Sequence, residues 1–189
     1  MIKIGITGSL SSGKTTASKI LSKNRGPLFN ADTAVQELYQ NKRFRSLISK
    51  RLGIEDNNQI KKSVKRLVLA NKNELKKLEK IIHPLVRKKM REFTLKNKYK
   101  KFLFYEIPLL IESKLMNFFN IIIFIKSKKK LRLKRFKKKK KGNKKFFNFL
   151  NNKQLSEKKK MKFCDHVVVN ERNFKILKKN LSLIMDKYE

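Results

Sequence analysis

Met1-Ile-Lys-Ile-Gly-Ile-Thr-Gly-Ser-Leu-Ser-Ser-Gly-Lys-Thr15 opens the chain. Ile2, Ile4 and Ile6 alternate with smaller or polar residues, as in a strand, and Thr7-Gly8 breaks the run. Four residues then separate Gly8 from Gly13-Lys14-Thr15. That spacing, between a predicted strand and a helix predicted over 16–23, is the pattern of a phosphate-binding loop. Its glycines let the backbone curl so that successive N–H groups face phosphate oxygens. A helix starting near Gly13 turns unpaired N–H groups and a positive dipole end to the same anion. Lys14 has the reach for the outer phosphates, and the Thr15 hydroxyl suits Mg²⁺. An ordinary Gly/Ser turn is the plain alternative, and the agreement of motif and context speaks against it.

The 189 residues suffice for one compact domain, and 40% hydrophobic content supplies a core. No apolar run is long enough to cross a membrane, and Met1 leads straight into the strand with no visible signal peptide. The single cysteine, Cys164, fits a reducing cytoplasmic setting. One Cys with His83 and His166 argues against zinc. A formal charge of +37 invites a nucleic-acid reading. Lysines spread along the whole chain, beside abundant Asn, Ile and Phe, fit AT-rich coding better than a dedicated binding stripe. In either case nonspecific attraction of polyanions at low salt follows.

After the turn Asn24-Arg25-Gly26-Pro27, Leu28-Phe29 reads as a second strand. Asp32 then stands at a strand's carboxyl end, where open α/β sheets bind ligands, and its carboxylate can take a proton from an attacking hydroxyl. Position alone equally allows Asp32 to be the N-cap of a helix over 33–40. Residues 33–99 read as helical, with Gly53 as a C-cap, a loop at Asp56-Asn57-Asn58, and helices over 60–70, 74–82 and 85–97 separated at His83-Pro84. Residues 101–107 form a buried strand ending near Glu106, placed to support Mg²⁺ directly or through water. Pro108-Leu-Leu-Ile-Glu112 follows as turn into helix, and Ile121-Ile-Ile-Phe-Ile125 is a strand. The basic tract 126–145, with Lys137–Lys141 in succession, is either a solvated helix face or a cationic lid over ATP, with Arg135 the best single candidate. Gly142-Asn143 breaks it, and Phe146, Phe147, Phe149 and Leu150 make an apolar patch beyond. A last strand runs to Asn170, placed to help hold a nucleotide base, and an amphipathic helix closes the chain.

Together these pieces predict an α/β fold with a five-stranded parallel sheet in three layers. The core spans about 1–32, 100–127 and 163–189, a helical acceptor region about 33–99, and a small lid about 128–162. In order, the segments resemble the dephospho-CoA kinases, members of the P-loop kinase fold. Ile4 to Thr16 looks like the family's phosphate loop, and Asn30-Ala31-Asp32 resembles its Asp-Ala-Asp. Leu78-Glu79-Lys-Ile-Ile-His83-Pro84-Leu-Val86 is similar to its Leu-Glu…His-Pro-x-Val, and Pro108-Leu-Leu-Ile-Glu112 to its Pro-Leu-Leu-Phe-Glu. Gln154, Lys160, Asp165 and Asn170 fall where its closing segment has the same residue types. The resemblance implies transfer of the ATP γ-phosphate to the ribose 3′-hydroxyl of dephospho-CoA, with Mg²⁺. It implies Asp32 as general base and Ser11, Ser12, Gly13, Lys14, Thr15 and Thr16 with Gly8 on ATP. It also implies His83, Pro84 and Glu112 in the acceptor region and Arg135 as a lid arginine. Departures are Asn30 for the first Asp, Lys139 near the place of a second lid arginine, and Asn151 where an arginine is often found. Ser9 and Ser11 replace loop glycines, which requires negative φ at both. The rival readings are a nucleoside or nucleotide kinase with another acceptor, and an ATP-binding nucleic-acid protein.

Overall fold

The structure, a computed structural model, describes residues 1–140 and 142–189. Lys141 of the basic run lies outside the described residues, as do the side chains of Lys72 and Lys140. The first half runs β1 (Ile2–Gly8), α1 (Lys14–Ser22), β2 (Leu28–Asn30), α2 (Ala31–Leu38), α3 (Lys42–Leu52), α4 (Ile60–Ala70) and α5 (Lys72–Lys96). The second runs β3 (Phe102–Glu106), β4 (Ile121–Lys126), α6 (Lys129–Lys140), α7 (Lys144–Asn152), α8 (Glu157–Met161), β5 (His166–Val169) and α9 (Phe174–Met185). Contacts divide the chain into two compact units, Met1–Phe29 with Asn97–Glu189, and Asn30–Lys96.

Among the described residues the strands form one five-stranded sheet in the order β2-β3-β1-β4-β5. β1 pairs in parallel with β3 (Ile4 opposite Phe104) and with β4 (Ile6 opposite Ile123), and β4 with β5. The central strands are buried on both faces and so read as continuous apolar runs. On one face Ile4, Ile6, Phe104, Ile123 and Ile125 meet Ala17 and Leu21 of α1 and Leu177 and Leu181 of α9. On the other, Tyr105 lies against the rings of Phe29, Phe118 and Phe119. Gly5 leaves room there, since a Cβ would stand 2.7 Å from Leu110 Cδ1 and the Leu110 side chain would have to shift. Asp165 ties the strands after their crossovers, accepting from Ile122 N at 2.7 Å through Oδ2 while its own N–H donates to Ile122 O.

Two expected elements take another form. Helices predicted over 74–82 and 85–97 are a single helix, α5, with Pro84 inside it. Proline removes one hydrogen bond and crowds the preceding turn. Here Leu78, Ile81 and Ile82 before it and Leu85 and Val86 after it pack into one cluster with α3 and α4, and that common burial carries the helix through. Residues 108–114 wind through turns instead of entering a helix. Leu110 and Ile111 are buried under the sheet, Leu115 N donates to Leu110 O, and Lys114 at φ +53° reverses the chain before another helical turn forms. No helix among the described residues is long and apolar enough to cross a membrane.

Candidate active site

The carboxyl end of β1 runs into the loop that the sequence marked for phosphate. Gly8 has φ +154° and Gly13 φ +98°. A Cβ on Gly8 would meet Ile125 O at 2.5 Å, and one on Gly13 would meet Asn170 Nδ2 at 2.1 Å, so the loop closes only with glycine at both. Ser11 holds φ +58°, against the negative φ its side chain prefers. Ser9 is not among the positive-φ residues. The turn closes with Ser12 N donating to Ser9 O at 3.1 Å, and α1 starts at Lys14 with Gly13 at its N-cap position, in line with a helix starting near Gly13.

The loop's carbonyls are held by its own lysine and by side chains from later in the sequence. Lys14 Nζ donates to Gly8 O at 3.2 Å and Ser9 O at 3.0 Å. Asn170 Nδ2 donates to Ser12 O at 2.9 Å, and Arg135 Nη1 to the same oxygen at 3.2 Å. Arg135 Nη2 reaches Asn170 O at 3.0 Å. Burial lowers the Arg135 pKa and Glu171 opposes that shift. Thus Arg135 and Asn170, predicted as a lid cation and a base contact, meet each other on the loop backbone.

Thr15 Oγ1 donates to Glu106 Oε1 at 2.7 Å, and Ser18 Oγ donates to Glu106 Oε2 at 2.9 Å. Glu106, at the end of β3, is only 2% exposed. The Thr15 hydroxyl keeps acceptor lone pairs in this arrangement. A hydroxyl and a carboxylate are the hard oxygen donors that Mg²⁺ takes when most of its shell is phosphate and water. The residues present therefore fit that ion.

Asp32 is the second residue of α2 and is exposed. It is not the helix cap: Asn30 Oδ1 takes that place, accepting from Thr33 N at 3.0 Å. The asparagine that departs from the family pattern is therefore a good N-cap in its own right. His83 is half-buried and Pro84 exposed on α5, where they line a groove of about 570 Å³ with Lys76, Glu79, Lys80, Arg87 and Arg91. Cations dominate that lining, which suits an anionic occupant. Glu112 Oε1 receives Lys160 Nζ at 2.6 Å and Leu155 N at 3.1 Å, and Lys160 is fully buried.

Arg132 was not singled out by the sequence. It is 4% exposed and its guanidinium donates to Ser127 O, Leu10 O and Asn151 Oδ1, with Glu157 3.2 Å away. A signal was present. In α6 the sole arginines among lysines, 132 and 135, both reach the loop, while Lys137 to Lys139 are exposed. A fork of five donors suits several carbonyls at once where an ammonium does not.

Comparisons with known proteins point to one family. The dephospho-CoA kinase family profile matches residues 2–175. The chain is 34% identical over 169 residues to a dephospho-CoA kinase of Bartonella quintana, covering 87% of each protein. It is 31% identical over 182 residues to one of Fusobacterium nucleatum, covering 94% of each. Among solved structures, a dephospho-CoA kinase of Campylobacter jejuni superposes with a TM-score of 0.69 at 26% identity, covering 98% of this chain and 96% of that one. A shikimate kinase of Acinetobacter baumannii, in complex with shikimate, shares the fold with a TM-score of 0.57 at 12% identity, covering 100% of this chain and 93% of that one. A phosphate loop closed by its own lysine and a match that runs from the first strand into the last helix lead to one conclusion: the chain belongs to the dephospho-CoA kinase family.

Proposed function

We propose that this chain transfers the γ-phosphoryl group of ATP to the ribose 3′-hydroxyl of dephospho-CoA, giving CoA and ADP in the last step of coenzyme A biosynthesis. The observation that carries the reading is the loop itself, with Lys14 turned onto Gly8 O and Ser9 O and the Thr15 hydroxyl on Glu106. In the reaction Asp32 accepts the proton of the 3′-hydroxyl as that oxygen bonds to the γ-phosphorus. The bond from phosphorus to the β,γ-bridging oxygen breaks, and ADP leaves with the electron pair. Lys14 exchanges its two carbonyls for β- and γ-phosphate oxygens, and the loop N–H groups hold the same charge. Arg135 and Asn170 act from the Ser12 side of the loop. Thr15, with Glu106 behind it, would hold Mg²⁺, whose contribution is to neutralise charge growing on the phosphate oxygens.

The acceptor reading rests on His83 and Pro84 in the cationic groove of α5. Glu112 Oε2 is buried with no hydrogen-bond partner among the described residues, and we assign it to the acceptor side. A cytoplasmic setting suits this metabolism. The test is ADP release with ATP, Mg²⁺ and, in parallel, dephospho-CoA, AMP, CMP, UMP or RNA. The proposal expects stimulation by dephospho-CoA far above the rest. Stimulation by a nucleoside monophosphate or RNA alone would replace the acceptor or the function.

A further inference from the structure

A trans peptide is planar, so its C=O and the following N–H point in opposite directions. Whatever holds a carbonyl of the phosphate loop therefore also aims the next N–H. Ser12 O, held by Asn170 and Arg135, aims Gly13 N–H away from them. The corresponding partner of Leu10 O is Arg132 Nη1 at 3.3 Å, and it aims the N–H of Ser11, the residue in the left-handed region. One peptide earlier, Leu10 N donates to Gln154 Oε1 at 3.2 Å. Ser9 Oγ donates to Glu157 Oε1 at 2.7 Å, and Arg132 Nη2 lies 3.2 Å from that same oxygen.

Three successive handles on the loop, Ser9 Oγ, Leu10 N and Leu10 O, are thus gripped by side chains from α6 and from residues 154–157. These grips border a cavity of about 430 Å³ lined by Ser9, Arg132, Asn151, Gln154 and Glu157 among others. Asn151 Oδ1 takes a further Arg132 donor at 2.8 Å, and the Phe147 ring backs the guanidinium at 5.8 Å. Arg132 is engaged by protein atoms on each of its three nitrogens, so its charge is spent on the loop's shape and not on solvent.

We propose that Arg132, supported by Glu157, is a positioning residue that fixes the Ser9–Leu10–Ser11 backbone of the phosphate loop and so sets nucleotide affinity. It acts through the loop and touches no reacting atom. The inference rests on the phosphate loop being the ATP site. It adds that this chain grips the loop from α6 with two arginines three residues apart, one on each side of Ser11.

The experiment is calorimetric titration of ADP with Mg²⁺ into the wild-type chain, Arg132→Lys and Glu157→Gln, with ATP and dephospho-CoA kinetics on each. Lysine keeps the charge but cannot hold Leu10 O, Asn151 and Glu157 together. Arg132→Lys should weaken ADP by about tenfold and raise the ATP KM in parallel, leaving the dephospho-CoA KM within about twofold. Glu157→Gln keeps an acceptor for Ser9 but loses the ion pair, and should shift the same two quantities by about threefold. A merely structural role would lower the active fraction and leave both KM values alone. ADP affinity within twofold of wild type in folded Arg132→Lys, or equal shifts of both KM values, would overturn the proposal. Because ADP binding needs no acceptor, a wild-type chain that fails to phosphorylate dephospho-CoA counts against the proposed function alone.

Discussion

Ser11 sits at φ +58° between the two carbonyls that the α6 arginines hold. A side chain in that region costs on the order of 1 kcal/mol, which glycine avoids. Ser11→Gly should therefore raise the unfolding free energy by about 0.5–1 kcal/mol in a denaturant titration while ADP affinity is retained; a loss of stability would show that the hydroxyl makes a compensating bond. The motif's spacing was legible because its glycines answer to backbone geometry alone. The left-handed turn at Ser11 was not, because it is enforced by partners more than a hundred residues away, and no local pattern records them. Asp32 shows the opposite balance. Its place after a strand was legible, and the cap reading fell because Asn30, two residues earlier, caps the helix. Asp32→Asn should leave ADP binding near wild type and lower turnover by ~10²-fold or more, measured by ADP release at saturating substrates. Near-normal turnover would remove Asp32 from the base role.

At the scale of elements, the central strands were readable from composition, since β3 and β4 are buried except at Lys126 and carry apolar runs up to their last residues, Glu106 and Lys126. α5 was misread at its middle. Local chemistry says that proline ends a helix, and tertiary burial of the residues on both sides says otherwise. Pro84→Ala tests which term is larger. It restores a donor for the Lys80 carbonyl and removes the ring clash, so thermal unfolding should report a gain of about 1–3 kcal/mol. A loss would mean that the proline-shaped turn is itself needed for packing. The 108–114 segment was expected to turn into a helix, and the burial of Leu110 and Ile111 with the left-handed Lys114 keeps it in turns instead.

For the whole molecule, charge and motif pointed in different directions. The +37 net charge favours polyanions in general, while the ordered segments favour one acceptor. The family match over residues 2–175 follows the segments. What the sequence left open was how the basic tract is used. The structure turns Arg132 and Arg135 inward onto the loop and leaves Lys137 to Lys139 exposed. Burial also pushes the lone thiol, Cys164, up to about 12, with Asp165 adding to the shift and Lys160 opposing it, which disfavours the thiolate at neutral pH. Assays belong at ~0.2 M salt, where attraction by charge alone is weakened. Under those conditions the deciding measurement is phosphorus NMR of the products from ATP, Mg²⁺ and dephospho-CoA. One new ribose 3′-phosphomonoester is expected for each ADP formed. Free inorganic phosphate in place of that ester, or phosphate on another hydroxyl, would contradict it.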